Sequence, residues 1–265
     1  MTGPAGGRIA SSQEVDIGAA LRRARRHGLL RSLARIYSEF PETTCDNCAR
    51  CCFESPGLFF IEYLHLLALL SEMQPRQRQI LLRRSLEELF FSWIKPDLEC
   101  LFLESSRCTI YQQRPLACRL FGLVAPADRA QAEAEARLAA RREAQHLRLL
   151  GISVPETVVQ RSLVSCEQVR DRRGQAVRVD GDAIAARVAR LDCKLLPQEV
   201  VVREFCFQSL PERLGAAAYG GESVALIRLQ LLRRAGQGMP LDQLLDSVRR
   251  QACLPSVLSR DLPGG

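Results

Sequence analysis

Four cysteines fall within eight residues, in the run Cys45-Asp-Asn-Cys48-Ala-Arg-Cys51-Cys52. A two-residue gap between cysteines lets both thiolates curl around one metal ion, and that gap occurs here twice in succession. On a helix, positions 45, 48, 51 and 52 project at about 0°, 300°, 240° and 340°, within roughly a third of the circumference. In a tight loop the same spacing also turns several sulfurs inward. A cysteine that merely packs behaves as a small hydrophobe, and Asp46, Asn47 and Arg50 make this segment too polar for that role. The chemistry expected is metal ligation by thiolates, and the identity of the metal is not encoded in the spacing.

A second group, Cys100, Cys108 and Cys118, is separated by seven and nine residues. Cys100 to Tyr111 reads as a small hairpin, with Cys100-Leu-Phe-Leu and Cys108-Thr-Ile-Tyr as its arms and Glu104 to Arg107 as its turn. Arg114-Pro115 then bends the chain before Cys118-Arg119. Three more thiols are thereby expected in one small element.

Cys45-x2-Cys48-x2-Cys51-Cys52, followed by Cys100-x7-Cys108-Thr-Ile-Tyr-Gln-Gln-Arg-Pro-Leu-Ala-Cys118-Arg119-Leu-Phe, resembles the bacterial CxxCxxCC zinc- or iron-chelating domain, also called the YkgJ-like cysteine-cluster family. The resemblance covers about residues 41–125, with a looser extension to Cys166 in Ser165-Cys166-Glu167. It implies eight metal-ligating cysteines: Cys45, Cys48, Cys51, Cys52, Cys100, Cys108, Cys118 and Cys166. The metal implied is iron, an iron–sulfur cluster or zinc. A related domain occurs in a flagellin lysine N-methylase, so a methylase-like protein modification is one implied role. Arg114 and Arg119 match the motif and are expected at cluster sulfurs or backbone carbonyls, the alternative being surface ion pairs with Glu99 or Glu104.

Four thiolates hold one 4Fe–4S cubane or one structural zinc. Eight hold two such sites, or one site with spare thiols for redox exchange. Soft thiolates without an obvious histidine partner favour an iron–sulfur cluster over zinc. Two functions follow as expectations. One is an iron–sulfur protein with a redox or protein-modification role; the other is a zinc-stabilised structural module that engages a protein partner without catalysis. A protein partner or protein substrate fits either. His65 reads as a core histidine rather than a ligand, and His27 and His146 sit on basic helical faces. Cys193 and Cys206 are expected to pack in the core, as is Cys253. No nucleotide-binding glycine loop, nucleophile elbow or His-Glu-x-x-His sequence is present, and no catalytic residue is assigned.

The elements that must position these residues lie in a chain of 265 residues, 47% hydrophobic and 25% charged, with 11 cysteines. That length builds a sizeable core, and the composition excludes a disordered or collagenous chain. The longest apolar stretch, Leu58 to Leu70, contains Glu62 and His65 and is too short to span a bilayer. Without a secretory signal at its start, the chain is expected in the cytoplasm, where clustered cysteines remain thiols and a disulfide scaffold is disfavoured. The formal net charge is +7, yet only Lys95 and Lys194 are lysines. The arginine excess therefore reads as compositional bias, and the group Arg22, Arg23, Arg25, Arg26, Arg31 and Arg35 as a solvated helix face rather than a nucleic-acid site.

Apolar periodicity predicts helices over 17–40, 76–94, 126–150, 182–196, 221–234 and 240–251. A short strand running into a helix is expected over 58–70, and a loop or a short strand near 176–179 within 171–181. The fold class expected is mainly α: a single helical domain around an irregular cysteine-rich metal-binding core with a small β-hairpin. Its divisions are a flexible N-terminus over 1–16, a cysteine-cluster domain over 17–170 and a helical C-terminal region over 171–265 packed on it.

Overall fold

Asp16 opens the first helix by accepting the Ala19 N–H at 2.9 Å, satisfying a donor that the helix itself leaves unpaired. Helix α1 (Ile17–Arg26) leads through Gly28 into α2 (Leu29–Ser38). The φ of Gly28 is +64°, a conformation that costs glycine nothing. The one helix expected over 17–40 is thus a hairpin of two. Its inner stripe is Ala20, Leu21, Ala24, Leu29, Leu33, Ile36 and Tyr37, and all six of its arginines are exposed.

The computed structural model describes residues 15–44, 49, 52, 55–95, 98–123, 126–160, 169–171, 173–196, 200 and 208–250. The predicted flexible N-terminus lies almost wholly outside them. Strand β1 (Thr43–Thr44) follows α2, and the next helices are α3 (Phe60–Glu72) and α4 (Pro75–Phe91). A hairpin of β2 (Leu103–Glu104) and β3 (Arg107–Cys108) turns at Ser105 and Ser106, with φ of +47° and +62°. That is the backbone hand that suits the twist of a two-residue hairpin turn. A 3-10 turn over Tyr111–Gln113 precedes α5 (Leu116–Leu120), then α6 (Pro126–Leu149) and α7 (Glu156–Val159). Strand β4 (Arg170–Asp171) pairs antiparallel with β1, Thr43 opposite Asp171 and Thr44 opposite Arg170. The remaining helices are α8 (Gly181–Leu195), α9 (Leu210–Tyr219), α10 (Gly221–Gly236) and α11 (Leu241–Arg249).

The fold is therefore mainly helical with the expected β2–β3 hairpin, and a second short sheet, β1–β4, adds to it. The strand of the later half lies at 170–171 and not at 176–179, because its partner is β1 and not a local neighbour. The strand expected before α3 shrinks to a single bridge between Gly57 and Ser209.

Two apolar clusters hold the helices. The first gathers α1, α2, α3, α8 and the start of α9. At its centre α3 is apolar on nearly all sides, and Ile61, Leu64 and Leu67 are fully buried, as a helix hydrophobic all round must be. The second gathers Leu86, Leu89, Phe90 and Phe91 of α4 with Ala144 and Leu147 of α6, and with α7, α10 and α11. Helix α6 is exposed over most of its length, as its Arg and Glu content implies, but its last turns dock into this cluster. Helix α4 joins the two clusters, giving Leu81 to the first and its later turns to the second.

Candidate metal centre

The cysteine segments are tied to α3 and α4 by buried polar side chains. The Cys52 N–H donates to the Ala49 carbonyl at 2.8 Å, and Ala49 has a φ of +58°. The Cys52 carbonyl accepts the Cys100 N–H at 2.7 Å, so the first cysteine run and the hairpin segment meet directly through their backbones. Below this junction, the Arg84 guanidinium donates to the Cys100 and Leu103 carbonyls, both at 3.0 Å. One turn further along α4, Glu88 accepts the Ser55 N–H at 2.7 Å and the Ser55 hydroxyl at 2.8 Å. Two residues four apart on one helix face thus hold the two thiol-bearing segments.

The hairpin register sets Cys108 opposite Leu103, and the Thr109 N–H donates to Phe102 O at 2.9 Å. Beyond it the Arg114 Nε donates to Tyr111 O at 2.9 Å while its guanidinium stacks 3.6 Å from the Tyr111 ring centroid. The Arg119 Nε donates to Arg114 O at 2.8 Å and its Nη2 to Gln112 O. Both motif arginines therefore bind backbone carbonyls, and neither makes the surface ion pair weighed as the alternative. Between them Cys118 sits on α5.

Cys52, Cys100, Cys108 and Cys118 are half-buried and line one cavity of about 60 Å³. The rest of its wall is largely apolar, including Leu58, Leu66, Phe102 and Ile110, with Arg114 at its edge. No histidine lines it: His65 is on α3, half-buried. Among the described residues, no three His, Cys, Asp or Glu side chains already close on one point. Burial pushes the Cys100 thiol up to about 12, with Glu88 and Cys108 adding to it. A cation in the cavity would reverse that balance and favour thiolate. Soft donors, a dry wall and adjacent arginines fit a thiolate-held metal or cluster.

Cys45, Cys48, Cys51 and Cys166 lie outside the described residues, as do Cys206 and Cys253. Cys193, expected to pack in the core, is exposed on α8. The buried stripe of that helix runs through Val188, Leu191, Asp192 and Leu195, which turns position 193 outward.

Three charged residues that position the site carry no motif signal: Glu62, Arg84 and Glu88. Glu62, on α3, is 2% exposed. It accepts the Leu116 N–H at 2.6 Å, the Phe59 N–H at 2.9 Å and the Tyr37 hydroxyl. Burial raises the Glu62 carboxyl above its ordinary range, and burial beside Glu62 raises the Tyr37 phenol. Asp192 accepts the Phe60 and Ile61 N–H groups at 2.8 and 2.7 Å, capping α3 from α8. A lone carboxylate inside an apolar run was the one available clue to Glu62.

Thiols from three segments thus line one largely apolar cavity. Residues 44–142 match the model of the CxxCxxCC family, described as a putative zinc- or iron-chelating domain. Binding of zinc or iron is therefore the supported chemistry. No curated protein matches the chain, and no solved structure does. No described helix is long and apolar enough to cross a membrane.

Proposed function

We propose that the chain carries an iron–sulfur cluster held by thiolates of the set Cys45, Cys48, Cys51, Cys52, Cys100, Cys108, Cys118 and Cys166, and serves a redox or protein-modification role. The observation that supports this reading is the cavity lined by Cys52, Cys100, Cys108 and Cys118. Its donors are soft thiols with no histidine among them, a set that favours an iron–sulfur cluster over zinc. When bound, such a cluster supplies a one-electron carrier whose potential is set by burial and nearby charge. The residues of this chain would supply the low-dielectric wall, through Leu58, Leu66 and Phe102, and positive charge at its edge, through Arg114. Thiolates kept for ligation also imply a reducing compartment such as the cytoplasm.

Protein purified without oxygen is expected to be brown, with iron and acid-labile sulfide in comparable amounts. Stoichiometric zinc with no sulfide would replace the cluster by a zinc-stabilised module, and a folded preparation with neither metal would remove both.

A further inference from the structure

We propose that Glu62 is the positioning residue that aims Cys118 into the thiol cavity. This inference rests on the reading that the cavity thiols bind metal. Cys118 rides on α5, only five residues long, and a helix that short does not hold itself in place. Its direction is set by what grips its two ends. At the first residue, the Leu116 N–H donates to Glu62 at 2.6 Å. At the residue after Cys118, the Arg119 guanidinium lies 4.3 Å from the centroid of the Tyr37 ring, and the Tyr37 hydroxyl donates to the same Glu62 oxygen. The first grip is Glu62 itself, and the second reaches the same carboxylate through Tyr37, beside the Arg119 bonds to the Arg114 and Gln112 carbonyls.

Glu62 also accepts the Phe59 N–H at 2.9 Å, so it is fixed to α3 at the start of that helix. Burying a carboxylate is costly unless hydrogen bonds repay it. Three donors converge on this one, from three separate segments. The other cavity thiols are held differently. Cys52 and Cys100 share a backbone bond, Arg84 clamps the Cys100 carbonyl, and Cys108 is fixed by the hairpin. Partners behind a ligand orient it and tune the metal it binds, and Glu62 does this for Cys118 alone.

The test uses cobalt(II) bound to the full chain, because the intensity of thiolate-to-cobalt charge transfer counts the ligating thiolates. Cys118→Ser lowers that intensity by its own share. Glu62→Gln, close in shape, is expected to lower it by the same share, and the double variant to fall no further. Asp192→Asn is the control, since it alters an equally buried carboxylate at the start of α3 without touching α5; it is expected to keep the native intensity. Full intensity in Glu62→Gln, or an equal loss in Asp192→Asn, overturns the proposal. A native chain that shows no thiolate–cobalt band overturns the metal reading itself, and is recognised because the loss precedes any substitution.

Should Glu62→Gln fail to fold, Tyr37→Phe keeps the ring beneath Arg119 and removes one donor from Glu62. In the metal-free chain it is expected to raise alkylation of Cys118 severalfold, read by peptide mass spectrometry, with Cys100 and Cys108 unchanged. Equal rates at Cys118 in the native chain and the variant also overturn the proposal.

Discussion

Asp192 joins helices more than a hundred residues apart in sequence, and its burial pushes its carboxyl up to about 6 from 3.8. The two N–H groups of Phe60 and Ile61 pull it down but do not offset burial. Because the folded state holds this proton more tightly than the unfolded chain, the contribution of Asp192 to stability is largest below about pH 4. It falls as pH rises towards 6, by about 3 kcal/mol, and is level above that. Denaturant titrations between pH 4 and 6 are expected to show this slope in the native chain and a flatter one in Asp192→Asn; parallel slopes would refute the assignment. Arg84 offers a second residue-scale test. Its fork spans the Cys100 and Leu103 carbonyls, which no smaller side chain reaches. Arg84→Ala is expected to cost about 1.5–3 kcal/mol in denaturant melts, and an unchanged midpoint would show that the clamp is dispensable.

Helix α9 approaches α4 so closely that a Cβ on Gly215 would stand 2.3 Å from Leu89 Cδ2. Leu89 is 3% exposed within the second cluster and has little room to yield. Gly215→Val is expected to destabilise by about 1–3 kcal/mol through overpacking, despite leaving behind a residue that weakens helices. A thermal melt at or above the native midpoint would show that the contact relaxes freely. This helix also marks a limit of the sequence reading. Pro211 and Gly215 hide it from a search for unbroken apolar periodicity. Yet Ser209 and Glu212 exchange hydrogen bonds across its first turn, and Ser-x-x-Glu is a start signal readable from sequence. Helix α6 and the β2–β3 hairpin were legible because their signals are local: a proline start with a glycine stop, and two short arms about a polar turn. The pairing of β1 with β4 and the capping of α3 by Asp192 join residues over a hundred positions apart, and no local pattern specifies such a partner. The same division runs through the site. The thiols were visible as a motif, but the carboxylates and arginine that hold them look like ordinary charges on helices until the helices are packed.

At the scale of the whole molecule, the described cysteines of the hairpin segment sit at the edge of the first cluster rather than at its centre. Cys100 and Cys108 pack against it as partly buried neighbours, while Leu33, Ile61, Leu64 and Leu67 form its interior without them. The second cluster contains no described cysteine. Fully burying one such leucine or isoleucine contributes about 1.5–3 kcal/mol, so two clusters of this kind hold their helices together with or without metal. This separates the chain from small zinc modules, in which metal-binding energy is the folding energy. Metal here adds to stability by mass action, about 2.7 kcal/mol at a hundredfold excess over its dissociation constant. In a domain of this size that corresponds to a shift in melting temperature on the order of 5–11 °C. Chelation or acid extraction of the metal is therefore expected to lower the midpoint by several degrees and to leave the far-ultraviolet helical signal almost intact. Loss of that signal on chelation would mean that the thiol cavity, and not the two apolar clusters, organises the fold.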